Sequence, residues 1–192
     1  MHLTGTYPDW WQGRRFPSAT RGWAAGVTGE STRDNPQRIL LGSLNEPGTG
    51  AVPKSAIVEV RNSRGYPDAV DTVLVAHKSG RLSQLSFKSY EKGRERWQGE
   101  SLDFVWLDEE APPDVYSEAL ARIAARGGVV FTTFTPLLGM STVVRRFFEE
   151  SSDDRALVQM TIEDAPHIAP EDRAKIESGY SPQDRKSTRL NS

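Results

Sequence analysis

The sequence predicts a three-layer α/β fold with a mainly parallel sheet, on three observations. Phe104-Val105-Trp106-Leu107 is a continuous apolar run of strand length, which suits a strand buried on both faces of a parallel sheet. An amphipathic stretch follows, with Val115, Ala119, Leu120 and Ile123 sharing one helical face. Val129-Val130-Phe131-Thr132-Thr133-Phe134 then returns as a second strand. Strand–helix–strand order of this kind makes the two strands parallel neighbours joined by a crossover.

The other elements follow in chain order. Residues 1–37 are rich in Gly, Pro, Trp and Arg with little periodicity, and read mostly as ordered loop. Arg38-Ile39-Leu40-Leu41-Gly42 is a short buried-strand candidate, and Ala56-Ile57-Val58-Glu59-Val60 is another strand or a short helix. Thr72 to His77 and Leu82 to Phe87 alternate around Lys78-Ser79-Gly80-Arg81, which signals a β-hairpin. The helix from Asp114 to Arg126 starts behind prolines and stops at Gly127-Gly128. Ser141 can cap a further helix to Glu150, with Val143, Val144, Phe147 and Phe148 facing the core. Ala156 to Ile162 is expected as a final strand.

Composition narrows the function classes. The 192 residues, 36% of them hydrophobic, suffice for one domain with a real core. No apolar run reaches the length of a membrane span, and the N-terminus lacks a signal-peptide pattern, so no membrane role is expected. The absence of cysteine excludes disulfides and cysteine-ligated zinc, and His2, His77 and His167 lack metal-ligand spacing. A net charge of -2 and a pI near 6.0 do not advertise nucleic-acid binding, although they permit a local basic patch.

The chemistry concentrates where the first strand ends. Four apolar residues run straight into Asp108-Glu109-Glu110, and Ala111-Pro112-Pro113 ends the run. Open α/β sheets bind ligands at the carboxyl ends of their strands. This is the sequence form of a Walker B element: Asp108 would hold Mg²⁺ through its water shell, and Glu109 would orient the water attacking the γ-phosphate of ATP. An apolar run followed by acids also occurs at ordinary strand-to-loop junctions. The second strand ends Thr132-Thr133-Phe134-Thr135-Pro136, where hydroxyls can hydrogen-bond phosphate oxygen or the attacking water. Threonine is also simply a good strand residue. The acids upstream and the helix between favour the nucleotide reading.

Tyr7-Pro8-Asp9-Trp10-Trp11, Gly13-Arg14-Arg15-Phe16, Ser89-Tyr90-Glu91, Trp97-Gln98-Gly99, the Asp-Glu-Glu strand, Thr133-Phe134-Thr135-Pro136-Leu137 with Gly139-Met140, and Asp164-Ala165-Pro166-His167 follow one another in an order that resembles tailed-phage terminase large subunits. The resemblance covers roughly residues 1–184. It implies a P-loop NTPase-type three-layer sandwich whose ATP hydrolysis drives packaging of double-stranded DNA into a capsid, with a separate nuclease domain. By position, Asp108 resembles the Mg²⁺-associated acid and Glu109 the catalytic glutamate, while Thr132, Thr133 and Thr135 lie in what resembles the ATPase-coupling motif. Portal protein, a small terminase subunit, a homo-oligomeric ring and a location at the procapsid portal in the host cytoplasm are implied by the resemblance alone.

The sequence also departs from that family. It contains no G-x-x-x-x-G-K-[ST] phosphate loop, and Gly48-Thr49-Gly50 lacks the lysine and the spacing. In the resembling family that loop lies just before a segment like His2-Leu3-Thr4-Gly5. The expectation is therefore residues 1–167 as a partial ATPase motor truncated before its first strand, with apolar surface uncovered beside the site. Residues 168–184 are read as the start of a linker toward a nuclease domain. Residues 185–192 resemble translated read-through and are set aside.

Other features carry competing readings. Trp10 and Trp11 could stack on bases, but paired tryptophans in such a segment more often pin a loop to a core. Arg14, Arg15, Arg94, Arg96, Arg145 and Arg146 could touch phosphates or act as an arginine finger, whereas interleaved Glu91, Glu95, Glu149 and Glu150 favour self-compensated surface. Glu110 receives no role. A helicase-like or other DNA-stimulated ATPase would use the same acids and threonines, and a non-enzymatic module could be built on the tryptophans. A metal nuclease using Asp103, Asp108, Glu109 and Glu110 is weaker, because adjacent acids on a strand point to opposite faces.

Overall fold

The computed structural model describes residues 1–135, 141–150, 152–160, 164–165 and 167–179. They belong to two compact units, Met1–Arg145 and a second that begins at Arg146.

In the first unit, strand β1 (Arg21–Gly26) leads into a helical stretch that starts at a capping box: Thr28 Oγ1 accepts from the Ser31 amide at 3.0 Å and Ser31 Oγ from the Thr28 amide at 2.9 Å. Helix α1 (Gly29–Thr32), a π-helical segment (Arg33–Gln37) and helix α2 (Arg38–Leu41) follow without a break. Pro36 lies in the π segment, where its missing amide cannot complete a regular helical ladder. A short ladder of β2 (Gly42–Ser43) and β3 (Glu46–Pro47) precedes β4 (Ile57–Asn62), β5 (Val70–Ala76), β6 (Leu82–Ser89), β7 (Phe104–Asp108), helix α3 (Pro113–Ala124), β8 (Val129–Thr133) and helix α4 (Thr142–Phe148).

The six-stranded sheet has the order β4-β5-β6-β1-β7-β8, with β6, β1, β7 and β8 mutually parallel and β5 and β4 added antiparallel. The expected parallel pair is present: β7 and β8 run in register from Phe104 opposite Val129 to Asp108 opposite Thr133, with α3 between them in sequence. The hairpin β5–β6 also forms as its alternation predicts. Ser141 Oγ accepts from the Val144 amide at 3.2 Å at the start of α4, where Val143 and Val144 are buried.

Three expectations need correction. Residues 1–20 are loop and turn as expected, but that reading fails beyond them: helical segments run from Gly29 to Gln37, and Arg21–Gly26 is β1, the strand between β6 and β7. Its Gly-Trp-Ala-Ala-Gly sequence has weak strand propensity, and tertiary packing explains it. A Cβ on Gly22 would lie 2.1 Å from the Phe104 ring, so only glycine lets that aromatic lie against the strand. Arg38–Leu41 is helix rather than strand. The capping box upstream sets the helical path, and burial is one-sided, with Leu41 2% and Ile39 55% exposed. The choice left open at Ala56–Val60 resolves into a 3-10 turn, Lys54–Ala56, followed by β4.

Side-chain alternation divides the core between the two sheet faces. Phe87, Ala24, Trp106, Leu85, Val73 and Val75 pack with Leu3, Leu41 and Val52 on one face. On the other, Trp23 meets Trp97 edge-on at 5.4 Å, and Val105 and Leu107 are fully buried along with Val115 and Ala119 of α3. Helical segments on opposite faces of a largely parallel sheet make the expected three-layer α/β architecture.

In the second unit, residues 156–160 form no strand, the third correction; Thr161 and Ile162 lie outside the described residues. Val158 is 83% and Met160 76% exposed, so their apolar side chains have no sheet face to cover and propensity alone does not organise them. Helix α5 (Pro170–Gly179) is an element that sequence reading did not anticipate, and Arg173 donates to the carbonyls of Ile168 and Ala165 before it. Pro136-Leu137, Gly139-Met140, Pro166 and the tail 185–192 also lie outside the described residues.

Candidate functional site

The carboxyl ends of β7 and β8 bring three of the singled-out residues together. Alternation places Trp106 and Asp108 on one face of β7, and the parallel register sets Phe131 and Thr133 of β8 beside them. Thr133 Oγ1 donates to Asp108 Oδ1 at 2.8 Å and accepts from Trp106 Nε1 at 2.8 Å. The indole thereby fixes the hydroxyl rotor with its proton on the carboxylate. Trp106 in turn stacks on Phe131 at 6.0 Å between centroids. Oδ2 of Asp108 has no protein partner among the described residues.

Glu109 follows with its amide donating to the Thr133 carbonyl at 2.7 Å, which extends the ladder by one bond. Its φ of 65° lies in the left-handed region, where a residue with a Cβ loses roughly 1–2 kcal/mol. Tyr90 supplies the compensation. Its hydroxyl lies 2.8 Å from the Asp108 carbonyl, 3.3 Å from that of Glu109 and 3.4 Å from that of Ala25. One proton thus pins the ends of β7 and β1 together. Burial, reinforced by the nearby Asp108 and Glu109 charges, pushes the phenol well above its ordinary range, so it stays a donor. The backbone turns at this residue, and the Glu109 side chain emerges exposed beside a half-buried Asp108. Backbone strain held in place by a specific partner is the kind of feature that clusters at working sites.

The structure separates other sequence candidates from this group. Thr132 pairs with Leu107 and so lies on the opposite face from Thr133; Thr135 is exposed beyond the end of β8. Asp103 precedes β7 at its other end, where Oδ2 accepts from the Arg21 amide at 2.7 Å and Oδ1 from Arg126 at 2.8 Å. A nuclease cluster of Asp103 with Asp108, Glu109 and Glu110 is therefore not assembled. No group of three acid or histidine ligands occurs among the described residues. Arg94 pairs with buried Glu118 at 2.9 Å rather than with the acids interleaved around it. Glu91 instead accepts from the Gly29 amide and the Tyr66 hydroxyl. Arg155 binds Glu150.

Tyr90 and Trp106 are site residues that sequence reading missed. Trp106 was legible in principle, two residues before Asp108 on a strand. Tyr90 was not, since its role depends on β6 and β7 both flanking β1. On the outer side of β8, no ladder partner exists among the described residues, and Phe131 is 39% exposed. Residues 1–20 do not cover this place; Phe16 and Thr20 pack by His2, Phe104 and Ser83, at the starts of β6 and β7.

Removing the Tyr90 hydroxyl gives a direct measure of this pin. Tyr90→Phe strands a buried carbonyl and is expected to cost about 1–3 kcal/mol in urea unfolding. An unchanged midpoint would show that Glu109 keeps its backbone conformation without it.

Over residues 1–191 the sequence matches the family described as terminase large subunit, T4likevirus-type, N-terminal. It is 38% identical over 205 aligned residues to the large terminase subunit of Salmonella phage P22, covering 96% of this chain and 41% of that protein. It is 30% identical to the large terminase subunit of Enterobacteria phage LP7, covering 83% of this chain and 34% of that one. The chain thus spans about two-fifths or less of the length of these curated relatives. The fold is similar to that of the large terminase from a thermophilic bacteriophage, solved in complex with ADP. The TM-score is 0.61 at 14% identity, over 85% of this chain and 38% of that one.

Proposed function

The chain belongs to the terminase large subunit family, and from that premise we propose that it forms part of an ATP-hydrolysing motor that packages double-stranded DNA. The observation that carries the proposal is the Trp106–Thr133–Asp108 hydrogen-bond relay beside a left-handed Glu109. The ADP complex of the thermophilic phage's large terminase supports nucleotide as the ligand class.

The residues divide the work. Asp108 keeps Oδ2 free of protein partners among the described residues, which fits a hydrated Mg²⁺ held through water by one carboxylate. Bound Mg²⁺ supplies neutralising charge for the phosphates. Glu109, exposed and turned out of the strand, orients the attacking water. Thr133 already donates to Asp108, so its hydroxyl can exchange that acceptor for a phosphate oxygen and report loss of the γ-phosphate to β8. Sensing is assigned to Thr133 rather than to Thr132 or Thr135, which stand apart from Asp108.

We extend the proposal to the protein's setting: residues 1–167 as part of the motor, a homo-oligomeric ring at the procapsid portal in the host cytoplasm, and portal protein and small terminase subunit as partners. The 192-residue chain, lacking a lysine-bearing phosphate loop, is expected to show no ATP turnover by itself.

Asp108→Asn in a full-length protein bearing this sequence tests the Mg²⁺ assignment. Nucleotide affinity in the presence of Mg²⁺ should fall by about 10–100-fold, while affinity in EDTA stays as in the parent. Equal losses in both conditions would remove Asp108 from the metal's surroundings.

A further inference from the structure

The N-terminal corner gathers aromatic rings and cations. His2 sits within an aromatic group, 5.1 Å from Phe16, 5.7 Å from Tyr7 and Phe104, and 5.9 Å from Trp11. Tyr7 stacks on Trp11 at 6.2 Å, and Trp10 touches only the edge of that stack at 6.2 Å. The expectation that both tryptophans pin a loop therefore holds for Trp11 and fails for Trp10, which is 71% exposed. A side chain of that apolar area stays in water only at a cost.

Cations converge on the same rings. The Arg15 guanidinium lies 5.7 Å and the Lys78 ammonium 5.9 Å from the Tyr7 centroid, and Arg14 lies 5.2 Å from that of Phe16. Lys78 is tied in by its amide, which donates to the Thr4 carbonyl at 2.9 Å, and Arg81 closes the same turn. None of Arg14, Arg15, Lys78 and Arg81 has a carboxylate within ion-pair distance among the described residues. Arg33, Arg61, Arg94, Arg122 and Arg126 all do. Asp9 is the only acid in residues 1–21 and 77–82. In a chain of net charge -2, this is a local excess of positive charge. It gathers at the start of β7, roughly 15 Å from Asp108 at the strand's end, so it is not part of the nucleotide site.

We propose that Tyr7, Trp10, Trp11, Arg14, Arg15 and Lys78 form a contact surface for the DNA sugar–phosphate backbone, resting on the reading that the intact protein acts on double-stranded DNA. Guanidinium and ammonium groups held over rings rather than in ion pairs keep their charge available for phosphate. A duplex presents a phosphate charge about every 1.7 Å, so unpaired cations meet an anion without a matched sequence. The exposed Trp10 indole packs against sugar. An acidic polypeptide needs carboxylates at matching positions, which makes it the less suited occupant.

The test is nucleotide-free binding of a short fluorescein-labelled duplex to the 192-residue chain, read by anisotropy across a salt series. Lys78→Gln and Arg15→Gln should each weaken binding and lower the slope of log affinity against log salt by about 0.9. Arg15→Lys should restore the slope. Trp10→Ala should weaken binding at every salt concentration with the slope unchanged. Arg61→Gln, whose guanidinium is paired with Glu59, should bind as the parent does. Since no ATP is present, failure of the hydrolysis assignment leaves this readout untouched. Circular dichroism separates unfolding from lost contact, and Lys78→Gln breaks no side-chain hydrogen bond among those described. Absence of duplex binding, unchanged slopes in both cation variants, or equal competition by polyglutamate would overturn the proposal.

Discussion

Glu109→Gln in a full-length protein bearing this sequence is expected to lower ATP hydrolysis by about 10²–10⁴-fold while nucleotide still binds. The substitution keeps side-chain volume and hydrogen-bonding capacity, so packing is not disturbed. It removes the negative charge that polarises the attacking water, a contribution made in the transition state rather than in binding. The backbone geometry sharpens the expectation. Glu109 occupies φ 65°, pinned through Tyr90 and the Thr133 carbonyl, and none of these contacts uses its carboxylate. The substituted amide should therefore stand where the Glu109 carboxylate stood, with only its chemistry changed. Steady-state turnover and nucleotide-binding assays on the one variant read the two effects apart. Near-normal turnover would mean that the catalytic acid is misassigned, with Glu110 the next candidate.

Trp97→Ala is expected to be the most destabilising single change, at about 3–5 kcal/mol in urea unfolding. Trp97 is fully buried at the end of the 3-10 segment Arg94–Trp97, edge-on to Trp23 at 5.4 Å and tilted against Tyr90 at 6.0 Å. Truncation leaves a cavity between β1 and that segment, and native domains have only about 5–15 kcal/mol in reserve. The same cavity releases Tyr90, so the pin on the Asp108 carbonyl should loosen with the core. Trp97→Phe supplies the contrast. The Trp97 indole nitrogen has no hydrogen-bond partner among the described residues, so a smaller ring gives up area without giving up a bond. Its cost should be less than half that of the alanine variant. Equal midpoints for Trp97→Ala and the parent would show that this aromatic cluster does not support the sheet.

The pair β7–β8 and its helix were legible because each element carries its own periodicity and its own stop signal. The short buried strand ends at acids, the helix opens at Pro113 directly after Pro112, and Gly127-Gly128 follows its end. Such patterns need no partner to be read. β1 was hidden for the opposite reason. Gly22 is small because the Phe104 ring fills the space beside it, and small residues such as Gly22, Ala24 and Ala25 have no strand signature alone.

The site divides along the same line. Asp108 and Glu109, and the run of threonines that ends the neighbouring strand, were legible in the sequence itself, whereas the register that sets Thr133 opposite Asp108 belongs to the folded sheet. The tertiary structure decided which threonine meets the acid. It also drew Trp106 and Tyr90 into the site, gave Glu109 a left-handed backbone, and left Trp10 in water while burying Trp97. Those outcomes rest on hydrogen bonds and ring contacts between segments far apart in the chain, such as Tyr90 with Asp108 and Trp23 with Trp97. Local propensity and periodicity act over a turn or a strand, whereas these contacts exist only once the sheet order has been chosen.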